Sequence, residues 1–300
     1  MRKNKMNEAD QTNTLQEDQM KDQNDFIMLP TVDFCFKELM QNKKVRKGMI
    51  AAILHVRPDE VEKAELMPTI LRKNSEDDKY GVLDVRVRLK GGVQIDFEMQ
   101  VVYVKYWTNR TVYYLGKMYT EQIKEGEGYE KLKKCIQVSI LNHVYFQNDA
   151  KCYRRIVFCD ADDGKEYTDL LEMHVLELAK LPQEQKNETD LMQWMRFLGG
   201  KCREDFKKMA EKKEEFAEAY KELDRLSADE KKRLLYEARQ KAIRDRDILI
   251  TTGREQGREE ERDRINQLNI QLAENNRIED ILKSATDIQY QQQLLKEFDL

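Results

Sequence analysis

Three side chains in the first third of the chain have the types and spacing for metal-assisted hydrolysis. They are Asp84, Glu98 and Gln100, in Leu83-Asp84-Val85-Arg86 and Ile95-Asp96-Phe97-Glu98-Met99-Gln100. Side chains alternate across a strand, so Glu98 and Gln100 project from one face, and a neighbouring strand can set Asp84 against them. Two carboxylates at short range offer the oxygen ligands that Mg²⁺ or Mn²⁺ requires, and the ion offsets the repulsion between them. An ion held this way polarises a phosphodiester and acidifies its bound water. Gln100 brings an amide donor and acceptor but no charge, so it can position water and cannot act as general base.

These residues require two strands. Tyr80 to Leu89 alternates Val82, Val85, Val87 and Leu89 with Asp84, Arg86 and Arg88; Val93 to Val102 alternates Ile95, Phe97 and Met99 with Asp96, Glu98 and Gln100. Both patterns predict strands, joined at Gly91-Gly92 as a hairpin. A two-residue loop would put Asp84 opposite Met99, on the wrong face. A three-residue loop, Lys90-Gly91-Gly92, pairs Leu89 with Val93 and sets Asp84 opposite Glu98, with Gly92 able to supply the left-handed bulge position. Alternating charges also describe the wet face of a half-exposed hairpin. The run Val93, Ile95, Phe97, Met99, Val101 and Val102 instead implies a strand buried on one side.

The remaining elements follow from period. Asp33 to Met40 and Arg46 to Leu54 have helical spacing, and Arg57-Pro58-Asp59-Glu60 is a turn and helix-start signal. Trp107 to Ile123 is helical and places Arg110, Tyr113, Tyr114 and Lys117 on neighbouring turns, with Gly126 and Gly128 ending it. Cys135 to Tyr145 and Tyr153 to Cys159 are expected as buried strands, with Leu170 to Leu181 as a further strand or sheet edge. Beyond Gly200 the chain is helical and charged, with basic and acidic residues nearly balanced, which describes a solvated face. Gly253 and Gly257 mark an expected hinge. Two short amphipathic helices, broken at Thr286-Asp287, end the sequence.

The net charge of −4 makes any surface for nucleic acid a local basic patch. Five scattered cysteines without a C-x-x-C pair argue against a disulfide framework or zinc knuckle. The polar first 25 residues lack an apolar signal core and are expected to form a disordered leader. With no run of about 18 apolar residues, the expectation is a cytoplasmic protein without a membrane span.

The order Asp33-x-x-Phe36-Lys37, Leu83-Asp84-Val85-Arg86-Val87, Ile95 to Gln100, Arg110 with Tyr113-Tyr114, and Gly128-Tyr129-Glu130-Lys131-Leu132 before Val138-Ser139-Ile140-Leu141-Asn142 resembles the Rpn family. These are recombination-promoting nucleases, also described as PD-(D/E)xK nuclease family transposases. The resemblance covers roughly residues 25–245, and the Gly-Arg-Glu repeat resembles that family's tail. It departs at Thr286-Asp287, where relatives tend to have glycine. It implies an α/β fold with a restriction-endonuclease-like mixed sheet flanked by helices, and a helical C-terminal extension. The expected organisation is a leader (1–25), a nuclease domain (26–200), a charged helical region (201–250), and a hinge with helical tail (251–300). Carried over, Asp84 and Glu98 are metal ligands for Mg²⁺, with Mn²⁺ possible, and Gln100 stands where the superfamily more often has lysine. DNA is the implied partner, and the C-terminal helices could form a homo-oligomer.

Other residues carry two readings each. Asp33 could join the site or cap its helix; Arg110 could hold a phosphate or serve as a salt-bridge and packing residue. His55, His143 and His174 lack metal-ligand spacing and read as structural. RNA cleavage and an inactive assembly protein that kept the fold are the rival functions.

Overall fold

The computed structural model describes residues 26–71 and 81–300. The leader of residues 1–25 and Tyr80, the start of the first expected strand, lie outside the described residues. The chain divides into two compact units between Gln240 and Lys241.

In the first unit, helices α1 (Asp33–Gln41) and α2 (Lys43–Leu54) precede β1 (Ala64–Met67), β2 (Val85–Leu89) and β3 (Gln94–Gln100). Helix α3 (Trp107–Thr120), strands β4 (Cys135–Leu141), β5 (Tyr153–Cys159) and β6 (Glu166–Glu177), and helices α4 (Asp190–Gly199), α5 (Arg203–Ala210) and α6 (Glu214–Ala228) follow. Among the described residues the strands form one mixed sheet in the order β1-β2-β3-β4-β6-β5. β3, β4 and β6 run parallel, while β1, β2 and β5 are antiparallel to their neighbours.

Parity along β2, β3 and β4 builds two different faces. Val85, Val87, Ile95, Phe97, Ile136, Val138 and Ile140 are buried in one apolar core with residues of α1, α2, α4, α5 and α6. Phe97 is fully buried there, so truncation to alanine would cost about 3–5 kcal/mol. Arg86, Asp96, Glu98, Gln137 and Ser139 point to the opposite face and are also buried. This second, polar face lies on the α3 side.

Local signals fix the pieces around it. Asn42 caps α2 by accepting from the N–H groups of Lys44 and Val45, which satisfies donors the helix start leaves open. Buried Arg46 on α2 donates to the carbonyls of Met40 at 2.6 Å, Gln41 at 3.0 Å and Ala64 at 3.0 Å. One guanidinium thereby ties the end of α1 to β1, and α1 carries Lys37.

Several boundaries differ from the sequence pattern. The turn at Arg57 to Glu60 leads into β1 and not a helix, with Glu60 folding back to accept from the Arg57 N–H at 3.0 Å. Helix α3 stops at Thr120, before the glycines expected to end it. β4 ends at Leu141, and β6 lies inside the sheet between β4 and β5. Helix α7 (Glu230–Glu274) runs without a break through Gly253 and Gly257. Each glycine costs about 1 kcal/mol relative to alanine, which the surrounding Arg, Glu and Gln residues tolerate.

The second unit, 241–300, contains the later part of α7 with α8 (Ile278–Ser284) and α9 (Ile288–Glu297). Leu268, Leu272, Leu294 and Leu295 form its core. The break expected at Thr286-Asp287 is present, with Asp287 capping α9 through the Tyr290 N–H at 3.0 Å. Among the described residues no helix is long and apolar enough to cross a membrane.

Candidate active site

The hairpin adopts the three-residue loop. The Leu89 N–H donates to the Val93 carbonyl at 2.8 Å, and Gly91 and Gly92 take φ of 88° and 91°, where a side chain would be strained. Val85 pairs with Phe97 and Arg86 with Asp96, so the register carried back one residue brings Asp84 to Glu98. Their backbones and side chains interlock: the Asp84 N–H donates to Glu98 Oε1 at 3.1 Å, and the Met99 N–H donates to Asp84 Oδ2 at 3.1 Å.

Two cations flank the pair. Lys37 Nζ lies 2.8 Å from Asp84 Oδ1, and Arg110 Nη2 lies 3.8 Å from Glu98 Oε2. Gln100 joins the same site, although its amide is engaged at both ends. Its Oε1 accepts from Arg110 Nη2 at 2.6 Å, and its Nε2 donates to the Val102 carbonyl at 2.9 Å. In this arrangement Gln100 orients Arg110, whose guanidinium also lies 5.9 Å from the Tyr114 ring centroid.

Sequence reasoning missed Asp96 as a site residue. Its carboxylate is 1% exposed and neither oxygen has a hydrogen-bond partner. Strand parity was the available signal, since Asp96 precedes Glu98 by two residues. Burial, and then the neighbouring Glu98 and Asp84 carboxylates, hold Asp96 well above the usual carboxylate range. Burial followed by Asp84 pushes Glu98 up to about 7. The same anions, after burial, raise the Tyr114 phenol.

Asp33 does not take the cap position of its helix. It is the first helical residue of α1, after Val32 at the cap position, and makes no side-chain cap bond. It pairs with Arg239 at 3.8 Å. His174 is structural as expected, with Nε2 2.6 Å from Glu172 Oε1 and Nδ1 2.8 Å from the Tyr153 hydroxyl.

A divalent cation fits the chemistry of the donor set. Among the described residues no three His, Cys, Asp or Glu side chains form a metal cage. Mg²⁺ is commonly held by one or two carboxylates, with water and substrate phosphate completing its shell. Asp84 and Glu98 are such a pair, with the unpartnered Asp96 carboxyl buried beside them.

A mixed sheet whose central hairpin carries a crowded carboxylate pair on a buried polar face is a nuclease-type architecture. The chain belongs to the PD-(D/E)XK nuclease family transposases, whose family model matches residues 30–253. Nucleases of this family generally use divalent metal ions. No curated protein and no solved structure matches the chain.

Proposed function

We propose that the protein is a divalent-metal-dependent endonuclease that hydrolyses DNA phosphodiesters at Asp84 and Glu98. The interlocked Asp84–Glu98 pair carries this reading, because both side chains are fixed by backbone hydrogen bonds before any ligand arrives. Such preorganisation removes much of the cost of ordering a site. Mg²⁺ or Mn²⁺, held by these two carboxylates, would polarise the phosphodiester and acidify the attacking water. Gln100 holds Arg110 beside Glu98. The membership in a nuclease and transposase family points to a role in DNA recombination or mobility.

A groove on the same face supports DNA as the substrate. A cavity of about 460 Å³ is lined by Arg86, Arg88, Lys124, Lys131 and Lys133 against Glu121 and Glu127. Arg86 pairs with Glu121, Lys131 with Glu127 and Arg88 with Glu65, so Lys124 and Lys133 carry positive charge beyond these pairs, in a chain whose formal net charge is −4. A local positive excess of this kind attracts a phosphate backbone.

The test is incubation of the full chain with supercoiled plasmid, with and without Mg²⁺ or Mn²⁺, beside Asp84→Asn and Glu98→Gln. Metal-dependent nicking that both variants lose supports the reading. Undiminished nicking by either variant removes that residue from the site.

A further inference from the structure

We propose that Lys37, reaching the site from helix α1, delivers to the scissile phosphate the positive charge that Gln100 does not carry. The inference rests on the phosphodiesterase reading above and adds a residue to it.

Its starting point is the use already made of Gln100. Both ends of that amide are engaged within the protein, with Arg110 and with the Val102 carbonyl, so the β3 position supplies no charge. Arg110 is itself held by Gln100, with its Nε buried. Lys37 is placed differently. Its ammonium sits 2.8 Å from Asp84 Oδ1, and its side chain is 37% exposed beside an Asp84 that is 19% exposed. An ammonium has three donors, so the Asp84 contact leaves N–H groups for an anion arriving from solvent. α1 is also fixed to the sheet edge by Arg46, which limits how far the lysine can wander.

The reaction consumes one water. Its oxygen bonds to phosphorus while the phosphorus–oxygen bond to the leaving nucleotide breaks, the electron pair going to that leaving oxygen. The leaving oxygen gains a proton and the attacking water loses one. Lys37 donates a hydrogen bond to a non-bridging phosphate oxygen as charge builds on it, and it neither gives nor takes a proton. Arginine, permanently charged, should therefore replace it in part, whereas a proton-shuttling lysine would not be replaceable this way.

The experiment is single-turnover cleavage of plasmid by the full chain carrying Lys37→Met, Lys37→Gln or Lys37→Arg, with Glu98→Gln as the inactive reference. Oligonucleotide affinity and thermal midpoint are measured on each. Removing one such donor should lower the rate about 10²- to 10³-fold. Met and Gln should both show this loss at saturating DNA, with affinity and midpoint close to those of the parent, and Arg should recover at least about tenfold of it. Parental rates in Lys37→Met or Lys37→Gln, or no recovery with Arg, would overturn the assignment of Lys37. If the parent cuts and Glu98→Gln does not, such a result leaves the nuclease reading standing. A parent that cuts no better than Glu98→Gln in any metal takes down both.

Discussion

Replacing Glu98 by glutamine should make the metal-free protein more stable above neutral pH while destroying its activity. In the folded protein burial and the Asp84 carboxylate lift Glu98 from 4.5 to about 7. At about 1.36 kcal/mol for each tenfold change in proton affinity, ionising this group costs the native state about 3 kcal/mol. The sign follows from proton counting. Between pH 4.5 and about 7 the native state keeps the Glu98 proton and the unfolded chain has lost it, so stability falls as pH rises. Above that range the penalty is constant, and below 4.5 it is absent. Glutamine never ionises, and its Oε1 can still accept from the Asp84 N–H. For a unit of this size 1 kcal/mol corresponds to roughly 2–4 °C, so Glu98→Gln should gain roughly 6–12 °C at pH 8 after removal of metal by EDTA. The gain should vanish near pH 4. Added Mg²⁺ should stabilise the parent, by about 2.7 kcal/mol at a hundredfold excess over Kd, and leave the variant unmoved. A variant no more stable than the parent at pH 8, or a gain that persists undiminished at pH 4, would refute the reasoning.

Gln100→Ala should lower single-turnover cleavage about 10²-fold by releasing Arg110, and unchanged cleavage would make Gln100 part of the strand's polar face only. Charge reversal at Lys124 and Lys133 should weaken DNA binding and flatten its salt dependence, the slope falling by about one for each phosphate that is no longer neutralised; equal slopes would exclude the groove. Although burial opposes it, hydrogen bonds from Arg155 and Lys134 hold Glu172 down at about 2. The ion network therefore stabilises the fold above pH 4.5 and loses that contribution as pH falls toward 2, so Glu172→Gln should cost about 1–2 kcal/mol at pH 7, after allowance for solvent screening, and little in strong acid. A chain ended after Ile250 should keep its cleavage rate constant while its assembly or DNA affinity changes, and a folded but inactive truncation would contradict this.

The hairpin was legible because period-two patterning and loop chemistry are local properties, and together they set Asp84 against Glu98. Asp96 was equally legible by parity, yet a third carboxylate reads as a solvated charge until burial on the α3 side is known. Lys37 was visible as a motif residue but its role was not, since it approaches through the packing of α1 on the sheet, 47 positions before Asp84 in the chain. The helix continues through Gly253 and Gly257, where long helical flanks override a small local cost. The four residues of β1 are too short to show a period, and the Pro58 turn ahead of them resembles a helix start.

The three-residue loop has a consequence for how this protein can change. Deleting one residue from Lys90-Gly91-Gly92 would slip β2 by one position and turn its side chains over. Val85 and Val87 would then leave the apolar core as Asp84 and Arg86 left the polar face. Loss of activity and loss of folding are thus coupled at this turn, and a lineage drifting toward a folded but inactive protein would do so by substitution at the carboxylates, while the length of the turn is inherited intact.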